Sequence, residues 1–321
     1  MKALVTGATG FVGSHLVEAL LLQDVRVTAL ARSPGKAAEL QARGVRIVAG
    51  HLHDPAALRE AVREQDLVYH VAGVVAARNE AEFLRANRDG TASLIAAAES
   101  EGTERLVLVS SLAAGGPSPR GLPLDGSEAP RPVTAYGRSK LAGERVVAAS
   151  RLRWSIVRPP IVYGPRDREV LKLFRLARLG LAPVFGDGSQ ELSAVHAADL
   201  ATALIATGEG SACGRIYNAC HPEVFTSAEF ARRVGAAMGR SVRTPRVPAG
   251  LGRALLSIIE ASARITGQTT ILTTDKANEF FQPAWTGDPT PLMKECGWRP
   301  AYDLRTGLAQ TYQWYRQAGW L

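Results

Sequence analysis

In the stretch TAYGRSK (134–140) a tyrosine, Tyr136, stands four residues before a lysine, Lys140. A helix starting here sets the two on one face, one turn apart. A free phenol titrates near 10, too high to exchange protons well near neutrality, so an adjacent ammonium that favours tyrosinate brings it toward working pH. Tyr and Lys at this spacing also occur as an ordinary surface pair, so the rest of the chain decides between the two readings. A second stretch, VTGATGFVG (5–13), places Gly7, Gly10 and Gly13 between an apolar run and an amphipathic helical pattern, with Thr9, Phe11 and Val12 in the same turn. Glycines there let backbone approach a pyrophosphate, and the helix start offers unpaired N–H groups and positive dipole.

These residues need a scaffold. Short apolar runs, KALVT (2–6), RVTAL (26–30), VRIVA (45–49), DLVYHVAG (66–73) and RLVLVSS (105–111), alternate with segments of helical spacing. The alternation predicts an α/β chain: a Rossmann-type doubly wound parallel sheet with right-handed crossovers and a smaller, mostly helical C-terminal substrate lobe. The expected division is 1–165 for the dinucleotide-binding domain, with 186–219 returning to it, and 166–185 with 220–321 for the substrate-binding lobe. The Pro- and Gly-rich stretch 115–132 reads as a long loop over the strand ends, where ligands bind in such sheets.

The second run ends in ALARSPGK, where Ala31 is followed by Arg32, Ser33 and Lys36 instead of a carboxylate for ribose hydroxyls. An arginine and a nearby hydroxyl suit a 2′-phosphate, so NADP is preferred over NAD. The chain has 321 residues and a formal net charge of +8, but its cations are scattered and lack interleaved aromatics, which argues against nucleic acid. Its three cysteines form neither a disulfide framework nor a metal-ligand pair, so no metal is expected and a reducing cytoplasm fits. The opening MKALVTGATG leaves no room for a signal peptide. The most apolar late segment, AGLGRALLSIIEASARITG (249–267), carries Arg253, Glu260 and Arg264 and reads as an amphipathic helix: core-facing, a channel lid, or resting peripherally on the inner face of a membrane.

Taken together, TGATGFVG, HVAG (70–73), NRDGTASLIAAA (87–98), VSSLAAGG (109–116), YGRSK, RPPIVYGP (158–165) and SAVHAADLA (193–201) make the chain resemble the extended short-chain dehydrogenase/reductases, of the epimerase/dehydratase family. The resemblance covers essentially the whole length and leans toward the 3β-hydroxysteroid dehydrogenase and dihydroflavonol reductase branch. It implies Ser111, Tyr136 and Lys140 as the catalytic group. Tyr136 would exchange the proton, Ser111 would hydrogen-bond the substrate oxygen, and Lys140 would also hold the nicotinamide ribose hydroxyls. It also implies Leu52, Ala72, Asn87, Pro159 and Ile161 on the cofactor side, Asn87 within a supporting network or as a helix cap. His70 reads as structural, and the pair His196 and Asp199 as structural and lobe-bridging.

Departures from the family pattern bear on the substrate. Nucleotide-sugar enzymes usually carry an asparagine where this chain has Pro160 or Ile161, and an arginine where it has Leu192; both are handles for a diphosphate. Leu112 and Ala113 follow Ser111 in place of a dehydratase Asp–Glu pair, and His51 in GHLHD replaces an acidic residue that would read the adenine. The expectation is an NADP-dependent oxidoreductase interconverting a ketone and a secondary alcohol on a hydrophobic molecule: a sterol, a keto-lipid such as a ketosphingoid base, or a polyketide- or flavonoid-like ketone. Phe280, Phe281 and Trp285 would then lie over the nicotinamide. The alternatives are an NAD-dependent nucleotide-sugar 4-epimerase and a non-catalytic dinucleotide-binding sensor or assembly subunit. By the resemblance, homodimers form through the helices of 87–99 and 136–147, where Ala92, Ala96 and Ala142 permit close approach.

Overall fold

The computed structural model describes residues 1–210 and 213–321. Six strands follow one another at the start: β1 (Lys2–Thr6), β2 (Arg26–Ala31), β3 (Arg46–Ala49), β4 (Leu67–His70), β5 (Arg105–Val109) and β6 (Arg153–Arg158). Short strands come next: β7 (Ile161–Tyr163), β8 (Val184–Phe185), β9 (Glu191–Leu192) and β10 (Ala194–His196). β11 (Arg215–Asn218) returns to the large sheet, and β12 (Phe225–Thr226), β13 (Arg246–Val247) and β14 (Ala284–Trp285) complete the set. The large sheet runs β11-β6-β5-β4-β1-β2-β3, every pairing parallel.

The sheet is buried on both faces, and its alternation shows it. Ala3 and Val5 point into one cluster with Leu16, Leu20, Leu200 and Leu204, while Leu4 between them joins Leu58, Leu94 and Ile156 on the other side. All five expected runs form strands of this sheet. The order reverses between β1 and β4, so the C-terminal ends of those strands open a crevice, the place where doubly wound sheets take ligands.

A third cluster, built on Phe174, Leu192, Phe225, Phe230, Leu308 and Tyr315, forms the core of a smaller lobe. β7 pairs with β10, β9 lies between β12 and β14, and β8 pairs with β13. These two- and three-residue strands are too short to leave a period in the sequence. Leu292 and Trp298, near the end of the chain, pack into the first sheet cluster. Residues 116–134 hold only isolated bridges, Ser118 to Ala284 and Leu124 to Gly287.

Candidate active site

The helix Ala135–Ala148 starts at Thr134, whose hydroxyl accepts from Gly137 N–H at 3.1 Å. Gly137 and Gly143 let it lie unusually close to its neighbours: a Cβ on the first would stand 2.4 Å from the Ala113 carbonyl oxygen, and one on the second 2.5 Å from that of Asn87. The helix thereby brings Tyr136 and Lys140 beside Ser111, which caps the short helix Leu112–Gly115 just beyond β5. The surface-pair reading fails, because Lys140 is buried and its ammonium donates to the Val109 carbonyl at 2.7 Å.

Burial acts on the two groups in opposite directions. Loss of solvent pushes the Lys140 ammonium down to about 8, against the pull of Glu144. It pushes the Tyr136 phenol up to about 12, with Ser111 opposing the shift and the Glu279 carboxylate adding to it. These influences favour the neutral phenol of Tyr136. In this arrangement the Lys140 ammonium is turned to the Val109 carbonyl, and burial is the largest influence on the phenol.

Asn87 lies in a turn of π-helix, Arg85–Asp89. Its side-chain amide donates to Val74 O and Ser139 Oγ, at 3.1 and 2.9 Å, and its oxygen accepts from Val74 N–H at 2.9 Å. It is a network residue and not a helix cap. Gly73 lies between this amide and the lysine, since a Cβ there would meet Asn87 Oδ1 at 3.0 Å and Lys140 Nζ at 3.5 Å.

The glycine turn is equally tight. Gly7 has φ 74°, and a Cβ on it would fall 2.7 Å from Ala72 N; one on Gly13 would fall 2.1 Å from the Gly7 carbonyl oxygen. Gly10 precedes the helix Phe11–Leu21, which has no side-chain cap and no acidic residue in its first turn. Thr9 is exposed and Phe11 and Val12 are half-buried around that helix start. A bare cradle ending in a helix N-terminus fits a dinucleotide pyrophosphate. Arg32 and Ser33 follow β2, and with Lys36 they are exposed beyond the neighbouring strand end. Leu52 is half-buried against Gly90, the His51 ring stands 6.3 Å from that of His53, and the Pro159 carbonyl accepts from Leu112 N–H at 2.9 Å.

Above Ser111 and Tyr136 opens a cavity of about 830 Å³, at the large end of small-molecule sites. Ile161 and Leu192, the positions lacking diphosphate handles, both line it, with Val184, Phe185, Phe280 and Trp285. Phe281 does not: its ring packs edge-on against Phe185 at 5.9 Å and under Arg253, on the lobe side.

Sequence reasoning missed a cluster that closes the cavity. Asp275 accepts from Ala135 N–H at 2.8 Å, and Glu279 accepts from the Thr134 hydroxyl at 2.8 Å and from the Lys276 ammonium. Lys276 Nζ lies 5.9 Å from the centre of the Tyr136 ring. A second missed pair is buried beneath the site, where Arg158 donates to both oxygens of Glu144 at 2.8 and 2.6 Å and Ser110 adds a hydrogen bond of 2.5 Å. The spacing Lys140, Glu144 on one helix face was its only signal.

The histidines are structural. His70 bonds Thr6 and Thr91 from its two nitrogens, at 2.7 and 2.9 Å, and burial drives its pKa down to about 3. Asp199 accepts from Ala301 and Tyr302 N–H, both at 2.9 Å, and His196 packs on Tyr163 and Tyr302, so this pair ties the tail to the sheet. No group of three or more His, Cys, Asp or Glu among the described residues is placed to hold a metal ion.

Residues 3–220 match the NAD dependent epimerase/dehydratase family. The chain is 33% identical over 319 residues to a ceramide reductase of Caulobacter vibrioides, covering 99% of this chain and 95% of that protein. It is 30% identical over 331 residues to a 2-alkyl-3-oxoalkanoate reductase of Stenotrophomonas maltophilia, covering 96% and 97%. Among solved structures it resembles the UDP-glucose 4-epimerase of Thermus thermophilus in complex with NAD, with TM-score 0.79, 25% identity and coverage of 99% and 100%. The chain therefore belongs to the NAD dependent epimerase/dehydratase family and is an NAD(P)-dependent oxidoreductase of the extended short-chain dehydrogenase/reductase kind.

Proposed function

We propose that the protein is an NADP-preferring ketoreductase that acts on a hydrophobic, lipid-like ketone. The observation that carries this reading is that Ile161 and Leu192 line the cavity over Tyr136 and Ser111, where a nucleotide diphosphate would need charge-assisted donors. The relatives named as reductases of a ceramide and of an alkyl-oxoalkanoate support a ketone flanked by alkyl chains.

The nicotinamide cofactor supplies the hydride when bound. It would be held by the turn from Gly7 to Gly13, by Leu52, Ala72, Asn87, Pro159 and Ile161, and by Arg32, Ser33 and Lys36 at a 2′-phosphate. Tyr136, kept as the neutral phenol, donates its proton to the ketone oxygen as negative charge develops there, and the Ser111 hydroxyl donates a second hydrogen bond to the same oxygen. Lys140 would hold the nicotinamide ribose hydroxyls.

Replacing Tyr136 with Phe is expected to cut turnover of a long-chain ketone with NADPH by about 10²–10⁴-fold while leaving NADPH binding intact. Undiminished turnover would remove Tyr136 from the chemistry. The fold shared with a UDP-glucose 4-epimerase keeps nucleotide-sugar epimerisation as a second reading, and a thermal shift with NAD plus a UDP-sugar would favour it over ketone reduction. Homodimerisation through the helices Gly90–Ser100 and Ala135–Ala148 belongs to the same proposal. Ala92 and Ala96 are exposed there, and a monomeric sedimentation profile would exclude it.

A further inference from the structure

The helix Ala249–Ile265 touches the body of the protein along one narrow line. Gly252 and Leu256 are buried, and Gly252 faces the rings of Phe185 and Phe281, where a Cβ would stand 2.9 Å from Phe281. Helical spacing puts Leu251, Leu255, Ile258 and Ile265 side by side on the adjoining outer arc, with Ile259 at its edge. These aliphatic side chains are 55%, 43%, 67%, 87% and 36% exposed, an apolar stripe open to solvent. The inner face of the same helix walls the active-site cavity through Glu260 and Ala263, and the segment after it continues the wall through Gln268–Ile271.

The charge around this stripe is mostly positive: Glu260, paired with Arg264 and lining the cavity side, is the one carboxylate in the helix Ala249–Ile265, and Lys172 is paired with Glu169. Residues 171–186 and 240–259 contain Lys172, Arg175, Arg178, Arg240, Arg243, Arg246 and Arg253, and neither Asp nor Glu. The two segments form one surface: β8 pairs with β13, Leu181 bridges to Arg243, and Arg240 donates to the Arg178 carbonyl at 2.8 Å. Among the described residues, Arg178, Arg240, Arg243 and Arg246 are exposed and form no ion pair with a carboxylate. Leu179 and Leu181 add exposed aliphatic side chains between them.

We infer that this face docks on the surface of an anionic phospholipid bilayer, with Leu251, Leu255, Ile258 and Ile265 entering the acyl boundary and the arginines meeting lipid phosphates. An apolar stripe beside four exposed arginines without carboxylate partners matches the two attractions that hold a peripheral helix at a membrane. A second copy of the chain seated on the same face would bring two cationic surfaces together, and a nucleic acid would leave the aliphatic stripe without a partner. No helix among the described residues is long and apolar enough to cross a membrane, so the contact is a surface one. Because the helix is also a cavity wall, its docking puts the substrate entrance at the lipid boundary. This last step rests on the ketoreductase reading; the docking itself does not.

The test is co-sedimentation of the full chain with vesicles of phosphatidylcholine alone or mixed with phosphatidylglycerol, alongside NADPH-dependent reduction of a short, water-soluble ketone. Binding is expected to the mixed vesicles and to weaken with added salt. It should fall by about tenfold or more in Leu255→Glu/Ile258→Glu and, separately, in Arg243→Glu/Arg246→Glu. All four positions are exposed, so both variants should keep wild-type thermal unfolding and reduce the soluble ketone at the wild-type rate. Absence of binding to the mixed vesicles, or undiminished binding by both variants, overturns the inference. A variant that turns a dimer into a monomer with no change in vesicle binding would assign the face to a second copy, and co-purifying nucleic acid lost on Arg243→Glu/Arg246→Glu with vesicle binding unchanged would equally count against lipid. Vesicle binding without reduction of any ketone would leave the docking standing and remove the ketoreductase reading instead.

Discussion

Tyr136 and Lys140 were recognisable because a phenol and an ammonium one helical turn apart have few other reasons to follow a strand-end serine. Their ionisation was not recognisable, since it depends on how much solvent reaches each group, and burial is a property of the assembled site. Asp275, Lys276 and Glu279 left no mark at all. They reach Thr134 and Ala135 from about 140 positions away, and nothing in ITGQTTILTTDKANEF distinguishes a carboxylate that closes a cavity from one in a solvated helix. Arg32 is a residue whose meaning is chemical and local. Replacing it with Ala should weaken NADPH binding by roughly 10–100-fold, the worth of one charge-assisted hydrogen bond, and leave NADH binding nearly unchanged. Titration of both dinucleotides checks this, and equal loss for the two would mean that Arg32 reads no 2′-phosphate.

At the level of elements, the seven-stranded sheet was readable because each strand is long enough to show an apolar run bounded by turn residues. The strands of two and three residues in the substrate lobe were not, since pairing there is imposed by packing around Phe174 and Phe225. The pair Glu144 and Arg158 shows how two elements are locked together. It joins the helix that carries Tyr136 to β6, and both side chains are 3% exposed. Removing one partner strands a charge in a site without water, so Arg158→Met should cost about 3–5 kcal/mol of unfolding free energy. The double replacement Glu144→Leu/Arg158→Met should recover most of that loss, because no charge is left unpaired. Denaturant unfolding of the three proteins distinguishes the cases, and a double variant as unstable as the single one would show that the pair contributes more than mutual neutralisation.

For the whole molecule, buried histidines set the response to acid. His70 and His196 are held neutral, with pKa values driven down to about 3 and about 4 by burial. In the unfolded chain both bind protons near 6.5. Below that pH the unfolded state takes up protons that the folded state refuses, so stability is full above about 6.5 and falls as pH drops toward the folded values. Asp167 works the other way, since burial raises its carboxyl to about 6 and the folded state then gains a proton between that pH and the unfolded value. The histidines, to which His15 with its ring depressed by burial adds, outweigh the one carboxyl by about 2–3 kcal/mol, and in a chain of 321 residues the midpoint of thermal unfolding should drop by about 3–6 °C between pH 7 and pH 5. A midpoint unchanged over that interval would mean that the folded protein protonates these rings after all.

The tail of the chain has a consequence for the order in which the protein comes into being. Leu292 and Trp298 fill the core beneath the first strands, and Ala301 and Tyr302 satisfy the Asp199 carboxylate. A ribosome makes the nucleotide cradle well before residues 292–302, yet the layer behind the cradle stays open until those residues have emerged. The cradle is therefore synthesised long before it is finished. Nascent chains arrested at residue 289 should remain open to protease within 197–209, the helix Ala197–Glu209, while full-length chains are protected; equal protection would show that the cradle closes without its tail.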